Sequence, residues 1–153
     1  DAAAAMSALR QQLSSPHLDV RVHAATALCS IVYSREVRVE GVNMTSLLGV
    51  MADGLNGGNA AIQLQAATAV RKLLAIEGVL PIQEAIDAGV IQPLVGLLSD
   101  SSMPKLQCEA TWALTNIAGG TSEQTQAVVD AGGIPPLIQL LSSPDDDVRD
   151  QAV

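Results

Sequence analysis

Apolar positions recur along this chain at helical spacing. Between Leu106 and Ala118, the residues Leu106, Ala110, Ala113, Leu114 and Ile117 fall on one side of a helix turning about 100° per residue. Lys105, Glu109, Trp112, Asn116 and Gly119 fall on the other side, within about 60° of Trp112. The pattern predicts a long helix with a buried face and a separate polar stripe that carries Trp112. Shorter helices are expected over Pro81 to Asp87 and over Glu123 to Asp130. Both end at "DAG", where Gly89 and Gly132 supply the left-handed residue that closes a helix. A second apolar helix follows each, over Leu94 to Leu98 and Leu137 to Leu141. A loop of Ser, Pro and Asp then breaks the chain, as in "SSPDDD".

The pattern is repeated. "LRQQLSSPHLDVRVHAA" from Leu9 returns as "LIQLLSSPDDDVRDQAV" from Leu137. "VRVHAATALCSIV" from Val20 returns as "IQLQAATAVRKLL" from Ile62 and as "LQCEATWALTNIA" from Leu106. "AIDAGVIQPLVGLLS" from Ala85 returns as "VVDAGGIPPLIQLLS" from Val128. The period is about 42 to 44 residues, that of a helical solenoid of the armadillo or HEAT type. Three helices per unit, with a glycine bend after the first, favour armadillo over the two-helix HEAT unit. The expected architecture is an all-α array of about four units, roughly 1–42, 43–78, 79–120 and 121–153. The first unit lacks its first helix, and the last stops inside its third helix at Val153.

Composition narrows the function. The chain has 153 residues and is 48% apolar but only 1% aromatic, with one Trp, one Tyr (Tyr33) and no Phe. Ala, Leu, Val and Ile suit thin, closely packed helices. The net charge of −8 argues against nucleic acid, whose phosphates need a basic surface, and against an anionic membrane. It favours basic partners. No apolar run approaches the roughly 20 residues of a membrane span. Cys29 and Cys108 lack metal-site spacing and are expected to be reduced structural thiols.

Other constellations carry little chemistry. His17 and His23 have no spaced Cys or carboxylate partner and are expected in solvent. The Asp run of "SSPDDD" suits helix capping better than a cation site. Gly57-Gly58 and Gly119-Gly120 lack the context of a phosphate loop. Ser, His and Asp are too scattered for a hydrolytic triad, so no enzyme and no cofactor or metal is expected.

The stripe itself suits peptide recognition. An exposed indole is a flat shelf for Lys or Arg stems and attracts their charge through its π face. Asn116, one turn on, offers one acceptor and two donors, enough to bond the C=O and N–H of an extended backbone. Stacked helices lie roughly 8–10 Å apart, close to three extended residues at about 3.3 Å each. One unit therefore serves a few peptide residues.

"EATWALTNIAGGTSEQTQAVVDAGGIP" (Glu109 to Pro135) closely resembles the importin-α (karyopherin-α) family of nuclear import adaptors. "LQAATAVRKLL" (Leu64 to Leu74) and "PIQEAIDAGVIQPLVGLL" (Pro81 to Leu98) are similar to its first armadillo unit and the start of its second. The likeness runs from Ser46 to Val153. It implies a right-handed armadillo superhelix that binds Lys/Arg-rich nuclear localisation signals of cargo proteins in an inner groove. It places Trp112 and Asn116 in the groove's Trp/Asn array, with Gly119, Gly120 and Thr125 lining the same site. Gln151 matches a groove Gln, Leu74 a groove-edge position, and Ile76 stands where the family often has a basic residue. Glu109 aligns with Gln151 and Gln65, and its carboxylate is expected to add attraction for a basic peptide. The resemblance also implies shuttling between cytoplasm and nucleus, and an importin-β partner held by a basic leading segment. Here the first 45 residues hold only Arg10, Arg21, Arg35 and Arg38, and they read as one more armadillo-like unit. Its stripe carries Thr26 and Ser30, and that of the next unit Thr68 and Lys72, so the groove is expected to become competent at Trp112. The alternative function is a general armadillo scaffold for other protein surfaces. Uncapped solenoid ends are expected to favour self-association.

Overall fold

The computed structural model describes residues 2–34, 43–76 and 80–153. Arg35, Arg38 and the expected unit boundaries near 42 and 78 lie outside these residues. Among the described residues there are ten helices and no strand. They are α1 (Ala2–Gln12), α2 (Leu18–Ser34), α3 (Met44–Asn56), α4 (Ala60–Leu73), α5 (Ile82–Asp87), α6 (Ile91–Leu97), α7 (Pro104–Ala118), α8 (Ser122–Asp130), α9 (Ile134–Leu140) and α10 (Asp146–Ala152).

Local chemistry sets these boundaries. The Asn43 and Asn59 side chains accept backbone N–H groups at the starts of α3 and α4. Thr121 and Gln124 form a reciprocal capping box at α8. Asp145 accepts the Val148 N–H at 3.1 Å, so the Asp run does cap a helix. Gly89 and Gly132 have φ of 80° and 79°, the left-handed turn expected at both "DAG" motifs. α6 and α9 begin three residues earlier than the apolar pattern indicated, at Ile91 and Ile134. Pro93, Pro135 and Pro136 fall in their first turns, where a missing N–H costs no helical bond. The shared "SSP" loops are sealed alike. Arg21 donates to the Ser15 carbonyl at 2.8 Å, and Arg149 to the Ser143 carbonyl at 2.6 Å.

The long helices stack as a ladder, α2 on α4, α4 on α7 and α7 on α10. Their inner faces form one core with α3, α5 and α6, including Leu28, Leu47, Leu73, Leu94, Leu106 and Leu114. α3 approaches the ladder at Gly54, where a Cβ would come within 2.9 Å of Val22 and 3.2 Å of Ala66. Gln63 donates to the Leu55 carbonyl at 3.0 Å, and the buried Gln107 to the Leu98 carbonyl at 2.8 Å. Each ties a ladder helix to the end of the helix before it. At the far end, Ile134, Ile138 and Leu141 leave an exposed apolar face.

Candidate peptide-binding site

α7 turns the expected core residues inward: Leu106, Ala110, Ala113 and Ile117 are fully buried, and Leu114 nearly so. Trp112 is 39% exposed and Asn116 half-buried on another face of the same helix. The ladder contact between α4 and α7 then brings in a residue that the stripe pattern missed. The Arg71 guanidinium carbon lies 4.3 Å from the centre of the Trp112 ring, a cation–π contact. Arg71 Nε donates to Glu109 Oε2 at 2.5 Å. Asn116 Nδ2 donates to the Arg71 carbonyl at 3.4 Å. Three residues of the stripe, Glu109, Trp112 and Asn116, thus converge on one arginine of the preceding ladder helix.

This geometry corrects two expectations. The Glu109 carboxylate is not a free charge facing a partner. Its side chain is 13% exposed, that of Arg71 is 17%, and the two charges compensate each other. Leu74 is likewise not a surface contact. It caps α4 at 2% exposure and packs in the core, because helix α4 turns its last apolar residues toward α3 and α7. Arg71 left one trace in the sequence, a cation in the last turn of α4 next to Lys72. Its reach across to Trp112 is set by helix stacking, which no local pattern encodes.

The remaining residues surround this cluster. Gly119 is the C-cap of α7, and both Gly119 and Gly120 are exposed. A Cβ on Gly120 would strike the Gln124 side chain, so the capping box needs glycine there. The Thr125 hydroxyl lies 2.7 Å from the Ala118 carbonyl and 3.0 Å from the Thr121 carbonyl, tying α8 to the end of α7. Gln151 is half-buried on α10, the next rung. Between α7 and α10 lies a cleft of about 510 Å³ lined by Lys105, Cys108, Glu109, Asp145 and Asp147. The Cys108 thiol is pushed up by burial and then by the charges of Glu109, Asp147 and Asp145. Burial pushes the Cys29 thiol up to about 12. His17 and His23 are exposed.

Three helices in each of the last two units, each with a glycine bend, and a ladder of long helices are now joined by a direct match. The Armadillo/beta-catenin-like repeat family matches residues 79–119 and 121–153. The fold is an armadillo-repeat array. Its resemblance to importin-α is shown by curated relatives. Importin subunit alpha-2 of Arabidopsis thaliana is 51% identical over 106 residues, 69% of this chain and 20% of its own length. Importin subunit alpha-B of Dictyostelium discoideum is 52% identical over 97 residues, 63% of this chain and 19% of its own length. The armadillo array therefore spans about a fifth of the curated relatives it matches. Among solved structures, a designed armadillo repeat protein in complex with peptide (KR)4 superposes with a TM-score of 0.80 at 29% identity. That match covers 96% of this armadillo array and 61% of the designed protein. Among the described residues, no helix is long and apolar enough to cross a membrane.

Proposed function

We propose that this armadillo array binds Lys/Arg-rich segments in extended conformation along its ladder helices, as part of a nuclear import adaptor. The observation that carries the reading is Trp112, exposed on α7 with Asn116 one turn on, in a chain whose only other aromatic residue is Tyr33. A tryptophan that stays 39% exposed while Leu106, Leu114 and Ile117 of its helix are buried has lost apolar burial that folding would favour, and partner contact restores it. The acidic balance favours basic ligands, the identified relatives are importin α subunits, and a designed armadillo relative is solved with (KR)4. On this reading Gly119, Gly120, Thr125 and Gln151 border the peptide path. The full protein passes between cytoplasm and nucleus with an importin-β partner, and the exposed apolar face of Ile134, Ile138 and Leu141 favours self-association.

Trp112 reads side chains, and Asn116 reads backbone. Calorimetry with (KR)4, and with a variant carrying Ala at the position facing Trp112, separates these roles. Trp112→Ala is expected to weaken (KR)4 by about 0.5–2 kcal/mol and the Ala variant far less. Asn116→Ala is expected to cost the two peptides equally, roughly 1–3 kcal/mol. Undiminished binding of (KR)4 by Trp112→Ala would end the reading.

A further inference from the structure

Trp112 and Glu109 together form a seat for a guanidinium, and the chain fills that seat itself. The Arg71 guanidinium lies 4.3 Å from the ring centre, and its Nε donates to Glu109 at 2.5 Å. The pair is 17% and 13% exposed, so solvent and salt screen it less than a surface ion pair. A planar, delocalised cation suits both partners, since it lies flat against an indole while directing N–H groups at a carboxylate in its own plane. Lys72, the next residue, is half-buried and has neither contact among those the structure shows for Arg71.

We propose that Arg71 is an internal competitor that determines which basic side chains the site accepts. The inference rests on the peptide-binding reading above and adds a residue to it. An incoming Lys or Arg meets Trp112 with one part of the ring covered and with the Glu109 charge already neutralised. It must displace Arg71 or settle for the ring surface that remains exposed. Displacement is costly because Arg71 is held at the high effective concentration of an intramolecular ligand. The site therefore binds basic peptides more weakly than its residues allow. Once vacated, it favours a guanidinium over an ammonium, because only the former reproduces the flat contact and the directed N–H together.

The test removes the competitor and offers a small substitute. Trp112 is the chain's single tryptophan, so its fluorescence reports the seat alone. Arg71→Ala, and Arg71→Met as a second variant that keeps an apolar stem, are titrated with ethylguanidinium, with ethylammonium, and with (KR)4. In either variant that retains the helical circular dichroism of the parent, ethylguanidinium is expected to produce a saturable Trp112 response. Ethylammonium should produce a weaker one, and the parent protein none. Affinity for (KR)4 is expected to rise about tenfold over the parent. If the small cation seats in the variant but (KR)4 binds neither protein, the peptide reading fails and the internal competitor stands. Equal responses to ethylguanidinium in parent and variant would overturn the proposal. So would (KR)4 affinity that is unchanged or reduced in a variant whose helical content matches the parent.

Discussion

α4 and α7 are neighbouring rungs with the same interior and different exteriors. Both bury a face of Leu, Ile and Ala, to which α4 adds Val70, and both use a glutamine, Gln63 or Gln107, to hold the carbonyl of the preceding helix. Outward, α4 offers Thr68, Arg71 and Lys72, whereas α7 offers Glu109, Trp112 and Asn116. The two exteriors meet, with Arg71 of α4 lying on Trp112 of α7. The comparison teaches that repetition fixes the scaffold, while recognition comes from what breaks the repetition. On the proposed reading, an aromatic residue on one rung becomes the site, and a cation on the rung before it competes for it.

If the interiors are equivalent, equal damage should follow from equal deletions. Leu73→Ala in α4 and Leu114→Ala in α7 remove fully or almost fully buried side chains. Each is expected to cost about 2–5 kcal/mol in urea unfolding, since burial is lost and a cavity is left. A cost below about 1 kcal/mol at either position would show that the two rungs are not packed alike.

High pH sharpens the contrast between the first rungs and the later ones. Cys29 in α2 is buried, and its thiol is pushed up to about 12, from 9.0 for an ordinary thiol. A thiol whose pKa is raised by folding stabilises fully below the unfolded value and loses that contribution as pH climbs toward the folded one. Stability should therefore fall between pH 9 and pH 12, by about 3 kcal/mol at pH 11 from this group. Cys29→Ala should flatten that slope in chemical unfolding at stepped pH. A slope identical in Cys29→Ala and the parent would assign the loss to other groups.

The smallest difference separates the two glutamines. Gln107 is 5% exposed, whereas Gln63 is half-buried. Gln107→Ala leaves the Leu98 carbonyl without its donor in a buried place, at about 1–3 kcal/mol. Gln63→Ala should cost less, because the bond it loses is only part-buried. Thermal unfolding of the two variants gives the order, and a larger loss for Gln63→Ala would reverse the comparison.

The sequence by itself determined the features that depend on neighbours a few residues apart. The 3.6-residue spacing of Leu106, Ala110, Ala113, Leu114 and Ile117 dictated the inward face of α7, because side chains one turn apart share a side. The same spacing put Trp112 outside it. Gly89 and Gly132 dictated the bends, because φ near 80° burdens any residue with a Cβ. The Asp145 cap and the Thr121–Gln124 box were fixed within four residues of chain. Tertiary structure decided what Trp112 and Glu109 touch. Arg71 and Glu109 are 38 positions apart, and they meet only because α4 stacks on α7 in one register with one set of rotamers. It also decided that Leu74 packs inward, since α4 is held against α3 and α7. Helical periodicity assigns a residue to a face; only packing between helices decides whether that face meets water, core or a charge from the next rung.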